Sequence, residues 1–202
     1  MNAHQLQKLL EQALSFSIHW KPEGGASNAL RSSRFCSEVG KRLPALLPAE
    51  AKLFHIGFQN ESVHRVPGEW LLDAVVADID DIGCVRRVHI AMECESSTAM
   101  QSFSWDFGKL LHVKATTKIY LQGLNQALAA AADGFVTERL DLAARLVREE
   151  DPGSEWFFGF WPSPEKVRGA ESLWDTFNSG RYLHLGSIRL FQFDGASFVP
   201  AT

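Results

Sequence analysis

The chain has 202 residues, of which 46% are hydrophobic and 22% are charged, and its formal net charge is -4. A chain of this length buries roughly 70% of the surface of its extended form, which is enough for a core without staples. The composition excludes wholesale disorder and collagen-like structure. The acidic balance excludes a strongly basic protein that coats nucleic acid, although it leaves room for a local basic groove.

The cysteines and the apolar segments indicate the cellular compartment in which the protein is expected. Cys36, Cys84 and Cys94 are odd in number and form no Cys-x-x-Cys pair, which favours neither a disulfide framework nor a zinc ribbon. Cys94 alternates with Ile90 and Met92, which predicts a small buried residue. The N-terminal segment indicates an amphipathic helix and not a signal peptide, and no apolar run approaches the roughly 20 residues of a membrane helix. We therefore expect a soluble, cytoplasmic protein.

The first half of the chain predicts two helices and then three strands. The segment MNAHQLQKLLEQAL predicts a helix, a loop rich in Gly, Ser and Pro follows over 21–33, and apolar spacing over 33–43 predicts a second helix before Pro44. Alternating or continuous apolar residues then predict strands over 51–59, 68–78 and 86–95. The turn residues between the last two strands, Asp80 to Gly83, predict that 68–95 is an antiparallel pair.

The second half predicts further helices and strands in alternation. Helical spacing or composition predicts helices over 100–114, 124–132, 137–150 and 164–177. Short β-rich segments predict strands over 116–123, 155–161 and 182–193. This order predicts an α/β protein with a single mixed central sheet flanked by helices.

Three carboxylates are the strongest chemical signal. Asp73 lies within a run of buried-type residues, where an unpartnered carboxylate is costly. Glu93 and Glu95 are two residues apart on the next strand and share one face. If the strands pair, the three carboxylates converge, and Mg²⁺ or Mn²⁺ would relieve their repulsion. Such an ion would activate water and stabilise charge on a phosphoryl group, and Lys109 on the following helix would assist at phosphorus.

This order of elements resembles the common core of the PD-(D/E)XK nuclease superfamily, the restriction-endonuclease-like fold. By resemblance, Asp73 corresponds to the strand aspartate and Glu93 to the acidic residue of the Glu-x-Lys element. Glu95 stands at the lysine position, and no proline precedes Asp73, so the chain departs from the usual motif at two points. Some members similarly carry Glu-x-Glu, and in others the lysine comes from the next helix, where Lys109 matches it.

The resemblance covers about residues 33–123 and implies a nuclease-like core there, with a C-terminal extension over 124–202 in the same single domain. It implies that Glu38, on the early helix, is an additional metal ligand. It also implies a Mg²⁺-dependent (or Mn²⁺-dependent) phosphodiesterase that acts on nucleic acid, with DNA favoured. A homodimer is expected by the same resemblance, because nucleases of this fold often use two copies to cut two strands.

Two other hypotheses remain open. A catalytically inactive restriction-endonuclease-like module could serve as a protein-interaction or scaffold component, which the acidic net charge and the missing Glu-x-Lys lysine favour. An unrelated α/β domain would make the Glu-x-Glu incidental. Several side chains likewise allow both a functional and a structural interpretation, namely His89, the aromatic run 156–161, Trp105, Trp174, Tyr182, Arg31, Arg34, Lys41, Arg42, Arg86 and Arg87.

Overall fold

The computed structural model describes residues 1–20, 28–47, 52–56, 72–164, 175 and 182–201. Within them, seven strands form one mixed sheet, and helices pack on both of its faces. The predicted α/β class with a single mixed sheet is therefore confirmed. No helix in the described ranges combines the length and apolarity needed to cross a membrane.

The strands stand in the sheet in the order in which they occur in the chain. The helices are α1 (Ala3–Ile18), α2 (Asn28–Arg42), α3 (Met100–His112) and α4 (Ala129–Glu150). The strands are β1 (Lys52–Ile56), β2 (Ala74–Ile79), β3 (Val85–Glu95), β4 (Thr117–Leu124), β5 (Glu155–Pro162), β6 (Arg189–Phe193) and β7 (Phe198–Pro200). Strands β3, β4 and β5 are parallel, and the pairs on either side of them are antiparallel.

Two hydrophobic cores lie on opposite faces of the sheet. Helices α1 and α2 cover one core and helices α3 and α4 cover the other. Strand β5 supplies both, since Phe157 points to the first core while Trp156 and Phe158 point to the second. The aromatic run 156–161 is therefore core, as one of its two interpretations predicted.

The β2–β3 hairpin forms as predicted. The Asp80 N–H donates to the Cys84 carbonyl over 3.0 Å, and Gly83 takes a φ of 85°, which a residue with a Cβ rarely adopts. The register pairs Ala74 with Met92, which places the residue before β2 beside the end of β3. This hairpin is what positions the acidic residues.

Several predicted boundaries differ from the structure. The two helices predicted at 124–132 and 137–150 are one helix, α4, since Leu124 ends β4 and exposed Gly134 lies within the helix. A helical glycine costs about 1 kcal/mol relative to alanine, which is small beside the burial of one face of α4. The 182–193 segment is a strand only over β6, and strand β7 was not predicted.

Other boundaries differ less or lie outside the described residues. Helix α2 begins within the predicted loop at Asn28, and α3 ends at His112. The outer parts of the strands predicted over 51–59 and 68–78 fall outside the described ranges. The helix predicted at 164–177 also lies outside them, apart from its first residue and Asp175, which is helical.

The structure contradicts the expectation that the cysteines form no disulfide. Cys36 on α2 is bonded to Cys94 on β3, with 6.2 Å between their Cα atoms. The two residues are 58 positions apart, and they meet because α2 packs across the face of the sheet towards which Cys94 points. No local spacing could indicate this pairing. Cys84 is an exposed free thiol.

We expect the Cys36–Cys94 disulfide to stabilise the fold by constraining the unfolded chain. A loop of this length corresponds to about 4 kcal/mol in the chain-entropy model. Cys36→Ser/Cys94→Ser should lower the free energy of unfolding, measured by denaturant titration, and reductant should lower it in the native protein. Cys84→Ser should change neither value. Equal stability of the oxidised and reduced protein would contradict this prediction.

Candidate active site

The β2–β3 hairpin and helix α3 bring five charged side chains together at one end of the sheet. Asp73 immediately precedes β2, and Glu93 and Glu95 lie at the end of β3. Helix α3 returns over the same face and contributes Asp106 and Lys109. These five residues are called the acidic cluster below. Of the predicted site residues, Asp73 and Lys109 each contact Glu93, whereas Glu95 contacts Asp106.

Asp73 and Glu93 form a buried carboxyl pair. The Cys94 N–H donates to Asp73 Oδ2 over 2.8 Å, and the Asp73 and Glu93 carboxyl groups are hydrogen-bonded to each other. Burial raises the pKa of Asp73 above its ordinary value. Burial and the neighbouring Asp73 charge raise the pKa of Glu93 to about 9. A hydrogen bond between two carboxyl groups requires a proton on one of them, so the pair holds a proton near neutral pH.

Lys109 joins the pair to helix α3. Its Nζ lies 2.6 Å from Glu93 Oε1 and 2.8 Å from Asp106 Oδ1. Burial alone would lower the pKa of Lys109, but hydrogen bonds and charges from Asp106 and Glu93 raise it above its ordinary value. The ammonium group is therefore held charged between Glu93 and Asp106. Asp106 was not predicted as a site residue, although its position three residues before Lys109 on a helix is a usable signal.

Within the acidic cluster, Glu95 contacts Asp106 on helix α3. Its Oε1 accepts a hydrogen bond of 2.7 Å from the Ser97 N–H, and its carboxyl group is hydrogen-bonded to that of Asp106. Burial raises the pKa of Glu95, with a further contribution from Asp106. Glu95 thus contacts two elements, the loop that follows β3 and helix α3. Lys109, by contrast, contacts Glu93 directly.

Strand β4 contributes two polar side chains that the sequence did not single out. The parallel register places Tyr120 beside Glu93 and Gln122 beside Glu95. Both residues are fully buried, and the Tyr120 hydroxyl and the Gln122 Oε1 have no hydrogen-bond partner in the described part of the chain. Burial, then the charges of Asp106 and the glutamates, raise the pKa of Tyr120. The available signal was the alternation of Tyr120 and Gln122 with apolar Ile119 and Leu121 along β4.

Glu38 makes other contacts. Its carboxylate forms ion pairs with Arg42, with Arg34 at 3.4 Å and with Lys41 at 3.5 Å, all within α2. Burial alone would raise its pKa, but the hydrogen bond from Arg42 and the surrounding charges lower it. Helix α2 packs on the opposite face of the sheet from α3. The contacts of Glu38 in the described ranges are thus with basic groups and not with the acidic cluster.

The remaining candidate side chains also have structural contacts. His89 Nε2 lies 2.8 Å from Asp78 Oδ1, close to the hairpin and away from Glu93. Arg86 forms an ion pair with Asp80. Buried Arg31 has its pKa lowered by desolvation, and Tyr182 belongs to the core under α4. Trp105 differs from these residues, since it lies exposed on α3 beside the acidic cluster.

The donor set of the acidic cluster suits a hard divalent cation. Among the described residues, no three His, Cys, Asp or Glu side chains already stand as a group that could hold a metal ion. The carboxyl groups instead contact one another and Lys109. Three of them, Asp73, Glu93 and Glu95, have raised pKa values, chiefly because burial disfavours their charged forms. The charge of Asp106 raises all three further, and the charge of Asp73 also raises that of Glu93. Oxygen ligands such as these are what Mg²⁺ and Mn²⁺ prefer.

We expect the stability of the protein to fall as pH rises, because the folded state holds a proton on Glu93 that the unfolded state releases. Between 4.5, the ordinary pKa of a glutamic acid, and about 9, this contribution is progressively lost. Its slope is at most about 1.4 kcal/mol per pH unit. Glu93→Gln should flatten the dependence measured by denaturant titration, whereas Asp141→Asn, at an exposed position on α4, should not. Parallel curves for Glu93→Gln and the native protein would contradict the prediction.

Comparison with known proteins gives no relative from which the site could be interpreted. The chain matches no protein-family model, no curated protein and no solved structure. The resemblance to the PD-(D/E)XK superfamily therefore stays a prediction from short motifs. The structure itself provides a buried carboxyl pair, a lysine that contacts it and two further carboxyl groups within the same network.

Proposed function

We propose that this protein is a Mg²⁺-dependent (or Mn²⁺-dependent) phosphodiesterase that acts on nucleic acid, with DNA favoured. The observation that carries the proposal is the contact of Lys109 with the buried Asp73–Glu93 pair. Buried carboxylates that repel each other are unfavourable for stability alone, and they cluster where proteins bind cations or carry out chemistry.

Each residue of the acidic cluster has a role in this proposal. Asp73 and Glu93 would hold the metal ion, which when bound supplies an activated water and neutralises phosphate charge. Lys109, kept charged by its two carboxylate neighbours, would stabilise the negative charge that develops on the phosphate oxygens. Glu95 would accept a hydrogen bond from the attacking water and orient it. Asp106 would position the Lys109 ammonium group through their 2.8 Å contact.

The catalytically inactive interaction module is the second candidate, and one observation favours it. Lys109 already neutralises Glu93 and Asp106, and no finished group of metal ligands stands among the described residues. In such a module the cluster would be a structural ion-pair network, and a bound cation would not be needed. The two candidates differ in what metal and nucleic acid do to the protein.

We expect Asp73→Asn and Glu93→Gln each to abolish metal-dependent cleavage of DNA, since each removes a proposed ligand charge while keeping the shape of the side chain. The measurement is the loss of a labelled DNA substrate in millimolar Mg²⁺ or Mn²⁺, together with the shift of the melting temperature on adding Mn²⁺. The native protein should show both cleavage and a stabilising shift, and the two variants should lose both.

The matched control for these variants is Asp141→Asn, which makes the same chemical change at an exposed position on α4. It should retain cleavage and the Mn²⁺ shift. Cleavage retained by both Asp73→Asn and Glu93→Gln would refute the assignment. A native protein with neither cleavage nor a Mn²⁺ shift would identify the interaction module instead.

Lys109→Met separates a catalytic lysine from a merely structural one. The variant removes the ammonium group that competes with a metal ion for Glu93, so we expect metal affinity measured by calorimetry to be kept or increased. Cleavage should fall by about a hundredfold or more, the usual effect of losing one group that stabilises transition-state charge. A variant that cleaves at the native rate would remove Lys109 from the proposed mechanism.

A further inference from the structure

Trp105 is an exposed tryptophan next to the acidic cluster. Its side chain is 75% exposed, whereas Trp156 and Trp161 are buried in the cores. Tryptophan is highly buried on average, and leaving its large apolar surface in water costs free energy that folding does not recover. The position directly before Asp106, with nothing in the described part of the chain covering the ring, suggests that a ligand covers it.

Helix geometry places the indole at the entrance to the acidic cluster. Trp105 and Lys109 are four residues apart on α3, so they are neighbours along one side of the helix. Asp106 and Lys109 contact the cluster, while Trp105 projects into solvent beside them. A ligand that reaches Lys109 from solvent therefore passes the indole.

The outer surface of α3 around Trp105 carries no acidic residue. Gln101, Trp105, Gly108 and His112 are spaced by three or four residues and form the solvent side of the helix. Apart from its chain neighbours and the backbone of its own helix, no heavy atom of the described residues lies within 4 Å of where a Cβ of Gly108 would stand, so the space one turn from the indole is open. An anionic polymer along these four positions would meet no acidic side chain among them, and the carboxylate of neighbouring Asp106 is paired with Lys109.

A basic groove continues this surface at the end of α3. It has a volume of about 610 Å³ and its lining includes Arg86, Arg87, Lys114 and Thr116. The rise of a helix puts its last turn roughly 10 Å from Trp105. Arg87 donates to Thr116 Oγ1 over 3.3 Å, which holds one guanidinium at the groove. Proteins bind single-stranded nucleic acid through aromatic rings that stack on its bases and a cationic groove that holds its backbone. Trp105 and the basic groove provide both features along one path.

We propose that Trp105 is a stacking platform for a base of single-stranded DNA whose backbone runs along α3 into the basic groove. This inference rests on the proposed function, and it adds the substrate class. A free indole face stacks on any unpaired base, whereas the bases of a duplex are stacked on one another and unavailable. A base on Trp105 places the adjoining phosphate beside Lys109, where the proposed cleavage occurs.

The test is the binding of a fluorescently labelled single-stranded oligothymidine, measured by anisotropy in EDTA so that no cleavage takes place. Trp105→Ala should weaken binding by about tenfold or more, and Trp105→Phe should restore most of it, because stacking needs an aromatic face. Oligothymidine should quench tryptophan fluorescence in the native protein but not in Trp105→Ala. A duplex of the same length should bind more weakly than the single strand.

Two matched controls separate stacking and backbone contacts from general effects. Ile82→Ala removes an apolar side chain that is 81% exposed at the β2–β3 turn, and it should bind oligothymidine normally. Lys114→Gln should reduce the slope of log affinity against log salt by about 0.7, the value for one phosphate contact with a single strand. Arg145→Gln removes one exposed positive charge on α4 and should leave the slope unchanged.

The outcomes distinguish this inference from the proposed function. Binding that depends on Trp105, without cleavage in any divalent metal, supports the inference and overturns the proposed chemistry. Cleavage by a protein whose binding ignores Trp105→Ala overturns the inference alone, and no oligothymidine binding in EDTA also overturns it. Trp105→Ala that changes sedimentation of the protein but not oligothymidine binding would identify a protein interface and overturn it as well.

Discussion

The contact of Lys109 with the buried Asp73–Glu93 pair is the constraint on which the end of the sheet depends. Two carboxyl groups out of water repel each other, and their charged forms lose solvation. Three features compensate for this cost. The raised pKa of Glu93 keeps a proton on the pair near neutral pH, the Cys94 N–H donates to Asp73, and the Lys109 ammonium group lies 2.6 Å from Glu93. Each of these compensations fixes the position of a different element, so the hairpin, β3 and α3 are held together at this point.

The sheet topology explains why the pair can exist at all. The antiparallel β2–β3 register brings Asp73 to the end of β3, and the parallel β3–β4 crossover requires α3 to return over the same face. The other face is filled by α1 and α2, and the disulfide between Cys36 and Cys94 anchors β3 to that side. The acidic strand is therefore supported from both faces by elements distant in sequence.

The network around the pair gives the site its chemical character. Asp106 links Lys109 to Glu95, and strand β4 sets buried Tyr120 and Gln122 beside the glutamates. Within the described residues, the Tyr120 hydroxyl and the Gln122 Oε1 are buried without a hydrogen-bond partner, which costs free energy that selection for stability alone would avoid. The exposed indole of Trp105 beside the same network is a second departure from what stability alone would select.

The sequence by itself determined the α/β class, the β2–β3 hairpin and the proximity of Asp73 to Glu93, because these follow from local spacing and from the pairing of adjacent strands. Predictions from the sequence were wrong where local patterns are ambiguous. Gly134, for example, is typical of a helix end but lies within α4. Tertiary structure decided the Cys36–Cys94 bond and the register that puts Tyr120 beside Glu93. It also decided that α2, which carries Glu38, packs on the opposite face of the sheet from α3. These contacts join or separate segments whose packing no short-range period encodes, so only the folded chain fixes them.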